Sequence, residues 1–168
     1  PCAGGAAYSP ALMDFVIMTR KNSYMCLTGP EVIKAVTGRS TTIEEIGSAD
    51  VHAAVSGNAH FVAEDDHHAI ELVKRILDYL PSNNTEDPPQ LEPYDPADRM
   101  DDALNSIVPD DDRLAYDMRD VLNLVFDHDS VFELHKEWAA NALVGFARLD
   151  GNSVGFIANQ PLVMSGCL

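Results

Sequence analysis

At 168 residues, with 46% hydrophobic residues and a mean hydropathy of −0.10, the chain has the composition of a packed globular protein, enough for one ordinary domain or two small pieces. No apolar run approaches the ~20 residues that a membrane-spanning helix needs, so membrane insertion is not expected. The formal net charge of −16 and a pI near 4.4 make the surface repel nucleic-acid phosphates and anionic lipid, which argues against both as partners.

The chain opens Pro1-Cys2-Ala3-Gly4-Gly5-Ala6-Ala7-Tyr8-Ser9-Pro10-Ala11-Leu12, with adjacent glycines ahead of a short helical turn. Residues 14–19, containing Phe15-Val16-Ile17-Met18, and residues 23–27 read as two short strands around a Lys21-Asn22 turn, and predict a strand pair. Pro30 and Glu31 start a helix that Gly38 closes, and Thr42 to Ile46 form a short helix ended by Gly47. Phe61-Val62 reads as a buried strand. Asp65 then caps a helix whose apolar positions Ala69, Ile70, Val73, Ile76, Leu77 and Leu80 recur at helical spacing until Pro81.

Residues 82–100 lose that periodicity and turn to Asn, Pro, Asp and Glu, with prolines at 88, 89, 93 and 96, the composition of an interdomain linker. Beyond it, Asp117 caps an amphipathic helix through Val121, Leu122, Leu124 and Val125, and Phe132-Glu133-Leu134 is a strand candidate. Residues 142–149 and 153–158 are apolar β-runs around Asp150-Gly151-Asn152, a strong hairpin signal. Helices and strands alternate on both sides of residues 82–100, which predicts an α/β class.

Candidate chemistry is concentrated in the glycines. Without a Cβ, Gly4 and Gly5 let a ligand oxygen approach the main chain, and the first N–H groups of a helical turn have no partner within it and favour negative charge. Such amides can form an oxyanion hole. The acid–histidine runs Glu64 to His68 and Asp127-His128-Asp129 are read as helix ends rather than metal sites, because adjacent helical residues point about 100° apart. Asp110-Asp111-Asp112 lacks the alternating spacing of a calcium loop, and no metal is predicted. Cys2, Cys26 and Cys167 form no C-x-x-C pair and leave one over, so they are read as reduced thiols. Arg20, Lys21, Lys34 and Arg39 gather four of the 11 cations within the first forty residues, either a basic patch suited to a polyanionic ligand or ordinary solvated surface.

The opening segment resembles the glycine-rich stretch of the carboxyltransferase (beta) subunit of biotin-dependent acyl-CoA carboxylases, the propionyl-CoA, acetyl-CoA and methylmalonyl-CoA type. Further matches follow in the family's order: Thr28 to Lys34 with Val36-Thr37-Gly38, Ser56-Gly57-Asn58-Ala59-His60, Leu80 to Asn84, and Gly151 with Val154 to Pro161. They cover the whole chain but only the middle of a longer family member, so a central fragment is expected. The resemblance implies a crotonase-like (ClpP/crotonase) fold of ββα units, with residues 1–81 ending the N-terminal carboxyltransferase half, 82–100 linking, and 101–168 beginning the C-terminal half. It implies transfer of a carboxyl group from carboxybiotin, borne by a partner carrier protein, to the α-carbon of a short acyl-CoA through an enolate. In that mechanism backbone amides stabilise the oxyanions and biotin's own nitrogen acts as base. Gly4 and Gly5 are then the oxyanion donors, with Ala6, Ser56, Gly57 and His60 lining the substrate or biotin cleft.

Asn58, where the family usually carries an apolar residue, and Ser48, where glycine is common, depart from the pattern. Expected partners are acyl-CoA, a biotinylated biotin-carboxylase or carrier subunit, and further copies of the carboxyltransferase subunit in a homo-oligomer. The expected location is the cytoplasm, or the mitochondrial matrix in a eukaryote. Two alternatives stay open: a biotin-dependent acyl-CoA decarboxylase subunit of the methylmalonyl-CoA or glutaconyl-CoA type, or a non-catalytic assembly module. The chain alone is expected to be inactive, because the family's site uses a second donor pair.

Overall fold

In the computed structural model, which describes residues 1–93, 95–111 and 113–167, the chain starts as strand β1 (Cys2–Ala3), a 3-10 turn (Gly4–Ala7) and helix α1 (Tyr8–Ala11). Asp112, the last residue of the acidic run, lies outside the described residues. Strands β2 (Ile17–Thr19) and β3 (Met25–Cys26) do not pair with each other as the sequence predicts. The chain between them is held as a turn, with the Ser23 amide 3.3 Å and hydroxyl 2.7 Å from the Thr19 carbonyl. Instead β3 runs parallel to β1, with Met25 opposite Cys2 and Cys26 opposite Ala3. A parallel partner for β2 requires a long crossover, and the helical segment after β3 provides it.

That crossover holds three helices, one more than expected. Helix α2 (Pro30–Thr37) begins with its proline and ends at Gly38 as the sequence predicts. Helix α3 (Ile43–Gly47) carries a full capping box: the Glu45 amide donates to Thr42 Oγ1 at 3.2 Å, and the Thr42 amide to Glu45 Oε2 at 3.0 Å. Helix α4 (Ala49–Ala54) follows at once, capped by Ser48 Oγ on the Val51 amide, 3.3 Å away. Gly47 is therefore a packing glycine as well as a helix end, since a Cβ there would stand 2.6 Å from the Met25 carbonyl oxygen. Strand β4 (Phe61–Ala63) then lies parallel to β2, with Ile17 opposite Phe61.

Helix α5 (Asp66–Tyr79) departs from the expected stripe: Ile76 and Tyr79 are buried, but Ile70, Val73 and Leu77 are 53%, 45% and 61% exposed. The chain divides into two units, Pro1–Val73 with His135–Ala139, and Lys74–Leu134 with Ala140–Leu168. The first is packed largely with small residues, Ala7, Val16, Met18, Met25, Ala49, Ala53 and Ala59. Its strands are therefore brought close to helix α4.

In the second unit, helix α6 (Met118–Val125) is capped by Asp117, and strands β5 (Phe132–Leu134), β6 (Ala142–Leu149) and β7 (Asn152–Asn159) form an antiparallel sheet in chain order. The β6–β7 hairpin matches its sequence signal, with Leu149 opposite Asn152. The Asp127 carboxylate accepts the Asp150 and Gly151 amides at 3.0 and 2.8 Å and fixes the hairpin turn. Leu122, Leu143, Ala147 and Phe156 form the core. Buried Gln160 joins the end of β7 to the start of α6, donating to Asp117 Oδ1 at 2.6 Å and accepting the Met118 amide at 3.2 Å.

Candidate active site

The glycine pair sits where strand β1 turns into the 3-10 turn. Gly4 has φ +62°, a left-handed conformation that disfavours any side chain, whereas Gly5 is exposed and a Cβ added to it would meet no atom within 4 Å. The two glycines thus have different jobs: Gly4 bends the strand end, and Gly5 leaves open space where a side chain would otherwise stand. Ala6 is exposed in the same turn, and Ala7 is buried and anchors it.

Ser56, Gly57 and His60 lie together on the loop between α4 and β4, and among the described residues no hydrogen bond joins them directly to Gly4–Ala6. Gly57, at φ +68°, receives the indole of Trp138 flat against its backbone; a Cβ there would be 2.7 Å from the ring. His60 Nδ1 accepts the Val16 amide at 3.1 Å, so that nitrogen carries no proton. The His60 ring also meets Phe15 edge-on and lies 4.3 Å, centroid to centroid, from His135. Burial first, and the neighbouring His135 second, hold the His60 imidazole below its ordinary pKa, and burial holds His135 low against the hydrogen bond it makes to the Ala59 backbone. Both shifts favour the neutral ring, which suits a wall or hydrogen-bonding role rather than that of a charged acid.

Sequence reasoning missed His52, which is buried on α4 with Nδ1 2.8 Å from Ser56 Oγ and Nε2 2.6 Å from the Met25 carbonyl oxygen. Its only sequence signal was the i, i+4 spacing to Ser56. Trp138 was missed too, since it arrives on a segment distant in sequence.

The basic patch is weaker than expected, because Arg20 bonds Asp50, Glu64 and Glu137 at once. Partial burial works against its charge, but Asp50 first, then Glu64 and Glu137, keep the guanidinium pKa above its ordinary value. His68 is used locally: its Nδ1 accepts the Glu64 amide at 3.2 Å, and its own amide donates to Asp65 at 2.9 Å, which caps α5. Among the described residues, no group of three or more His, Cys, Asp or Glu is placed to share a metal ion, and no helix is long and apolar enough to cross a membrane.

Comparison with known proteins places this geometry in context. The carboxyl transferase domain family matches residues 1–168. The propionyl-CoA carboxylase carboxyltransferase subunit of Haloferax mediterranei is 52% identical over all of this chain and 33% of its own length. The methylmalonyl-CoA decarboxylase subunit alpha of Veillonella parvula is 49% identical, again over all of this chain and 33% of its own length. The crystal structure of transcarboxylase 12S, a hexamer assembly with hydrolysed methylmalonyl-coenzyme A bound, superposes with a TM-score of 0.95 at 50% identity, covering 100% of this chain and 33% of that one. The chain thus spans about a third of the length of the relatives it matches. Its crotonase-like fold agrees with the sequence expectation.

Proposed function

The chain belongs to the carboxyl transferase domain family, and from that premise we propose that in its whole protein it supplies the acyl-CoA oxyanion donors of a biotin-dependent carboxyltransferase. The observation that carries the reading is the open space in front of Gly5, next to a left-handed Gly4 that holds the amides at the strand end. Removing the α-proton of an acyl-CoA puts negative charge on the thioester oxygen, and one fixed donor at such an oxygen is worth ~2.7–4 kcal/mol of barrier. In this reading the Gly4 and Gly5 amides meet that oxygen, Ala6 continues the same wall, and Ser56, Gly57 and His60 border the cleft. Carboxybiotin on a partner carrier supplies the carboxyl group and, once relieved of it, a nitrogen that takes the α-proton. No side-chain base is then needed.

The relationship to a methylmalonyl-CoA decarboxylase subunit supports a second reading, in which the carboxyl group moves from the acyl-CoA to biotin through the same enolate. Sodium-dependent turnover in a complex with membrane partners would identify it. We assign the chain other copies of its own subunit as partners, on the strength of the hexameric transcarboxylase relative. A cytoplasmic location is supported by the three unpaired cysteines and is tested by fractionation of the native cells.

The test is carboxylation of propionyl-CoA by the whole protein and by the 168-residue chain, each supplied with a carboxylated biotin carrier. The whole protein is expected to form methylmalonyl-CoA and the chain alone none. Product from the 168-residue chain alone would show that the active site has been misplaced.

We also propose that residues 82–100 join the two related halves, 1–81 and 101–168. Residues 82–90 are exposed, whereas Leu91 donates to the Gly151 carbonyl at 3.1 Å and Arg99 to the Leu124 and Phe126 carbonyls at 2.7 and 2.9 Å. Limited proteolysis is therefore expected to cut first within 82–90, because exposed backbone is what proteases engage. First cuts inside helix α5 would contradict the assignment.

A further inference from the structure

We infer that His52 is a positioning residue that ties the Ser56–Gly57 loop to the strand supporting the Gly4–Gly5 donors, and so sets the direction of those amides; the catalytic half of this inference rests on the function proposed above. The tautomer follows from its neighbours. A carbonyl oxygen only accepts, so the nitrogen 2.6 Å from Met25 O must be the one that carries hydrogen, and Nε2–H is the donor. In the neutral ring Nδ1 is then a lone pair, and the Ser56 hydroxyl 2.8 Å away donates to it. The Ser56 oxygen is left as an acceptor for the Asn58 amide at 3.4 Å, across Gly57.

On the other side, Met25 is the residue opposite Cys2 in the parallel β1–β3 pair, and the Cys2 amide donates to the adjacent Tyr24 carbonyl at 2.8 Å. Two residues beyond Cys2 the chain enters the left-handed bend at Gly4, whose missing Cβ would lie 4.0 Å from the Leu27 carbonyl, just past β3. Strand β3 is therefore the bed on which the donor turn rests. It is only two residues long and cannot set its own register firmly. Buried between α4 and β3, the His52 ring supplies a fixed link there. Because His52 contacts neither glycine, it acts through β3 and not on the substrate.

Donors that must meet an oxyanion lose much of their value when misplaced, with ~1 Å able to cost ~10²-fold in rate. In the whole protein, His52→Leu is expected to lower kcat for carboxyl transfer by about 10- to 100-fold with KM for propionyl-CoA changed less than about threefold, the pattern of a lost transition-state interaction. His52→Gln keeps an N–H for Met25 and is expected to recover a substantial part of kcat. Amide hydrogen exchange of the peptide covering residues 1–12 is expected to quicken in His52→Leu and less so in His52→Gln. A folded His52→Leu protein with wild-type kcat and unchanged exchange would overturn the inference, as would equal losses in both variants that merely follow their melting temperatures. If His52→Leu does not fold, His52→Gln decides alone: near-wild-type exchange and kcat support the inference, and a loss as complete as non-folding overturns it. Should the wild-type protein transfer no carboxyl group, the proposed function fails while the exchange measurement still decides what His52 holds.

Discussion

Gly5→Val in the whole protein is expected to lower kcat for carboxyl transfer about 100-fold or more, with little change in thermal stability. Gly5 is exposed and a Cβ there meets no atom within 4 Å, so the fold can accept the larger residue. The branched side chain would instead fill the space through which, in the proposed function, a thioester oxygen reaches the amides, and oxyanion donors are worth ~2.7–4 kcal/mol only when that approach is open. Gly4→Ala makes a useful contrast, because φ +62° imposes a folding cost of about 1–2 kcal/mol that Gly5→Val does not carry. A Gly5→Val protein with wild-type kcat would remove this glycine from the site.

Arg148→Met is expected to give a large loss of stability, on the order of 2–4 kcal/mol, since one buried and two part-buried carbonyls would lose a charge-assisted donor at about 1.5–3 kcal/mol each, less what water and the Leu91 amide on Gly151 recover. Arg148 is only 5% exposed and has no carboxylate partner among the described residues; its guanidinium donates to the carbonyls of Asp78, Pro89 and Gly151 at 2.6, 2.8 and 2.9 Å. Asp78 lies in the last turn of α5, where carbonyls lack partners within the helix and favour a cation. The guanidinium also stacks on Tyr79, 4.9 Å from the ring centre, and Tyr79 in turn stacks on Phe132 and Phe146. Methionine keeps most of the apolar stem, so the measurement reads the hydrogen bonds together with the guanidinium's contact to Tyr79. A melting temperature within 2 °C of wild type, set against an expected fall on the order of 10 °C, would show that these carbonyls find other donors.

The contrast between these two residues marks where sequence stops being informative. The role proposed for Gly5 draws on an adjacent glycine pair before a helical turn, a local signal with a chemical meaning that the resemblance sharpens. Arg148 reads as an ordinary surface cation until its acceptors are known, and one of them is 70 residues away. The β6–β7 hairpin, α2 and α6 were legible for the same local reason: Asp-Gly, Pro30 with Gly38, and Asp117 each act within a few residues. The pairing of β1 with β3 and of β2 with β4 was not, since strands of two or three residues carry almost no pattern and choose partners through the crossover. Gly47 and Gly57 show a further limit: one reads as a helix end and the other as a cleft residue, yet the first also makes room for the Met25 carbonyl and the second for the Trp138 ring. His52 was invisible for a similar reason, because its partner at Met25 lies 27 residues upstream.

The central claim, that the Gly4–Gly5 turn receives the thioester oxygen of an acyl-CoA, is tested most directly by the structure of the whole protein with a short acyl-CoA bound. The thioester oxygen is expected within about 3 Å of the Gly4 or Gly5 amide nitrogen, in the open space before Gly5. An acyl-CoA bound with its thioester oxygen on other donors, and these two amides turned to solvent, would contradict the account.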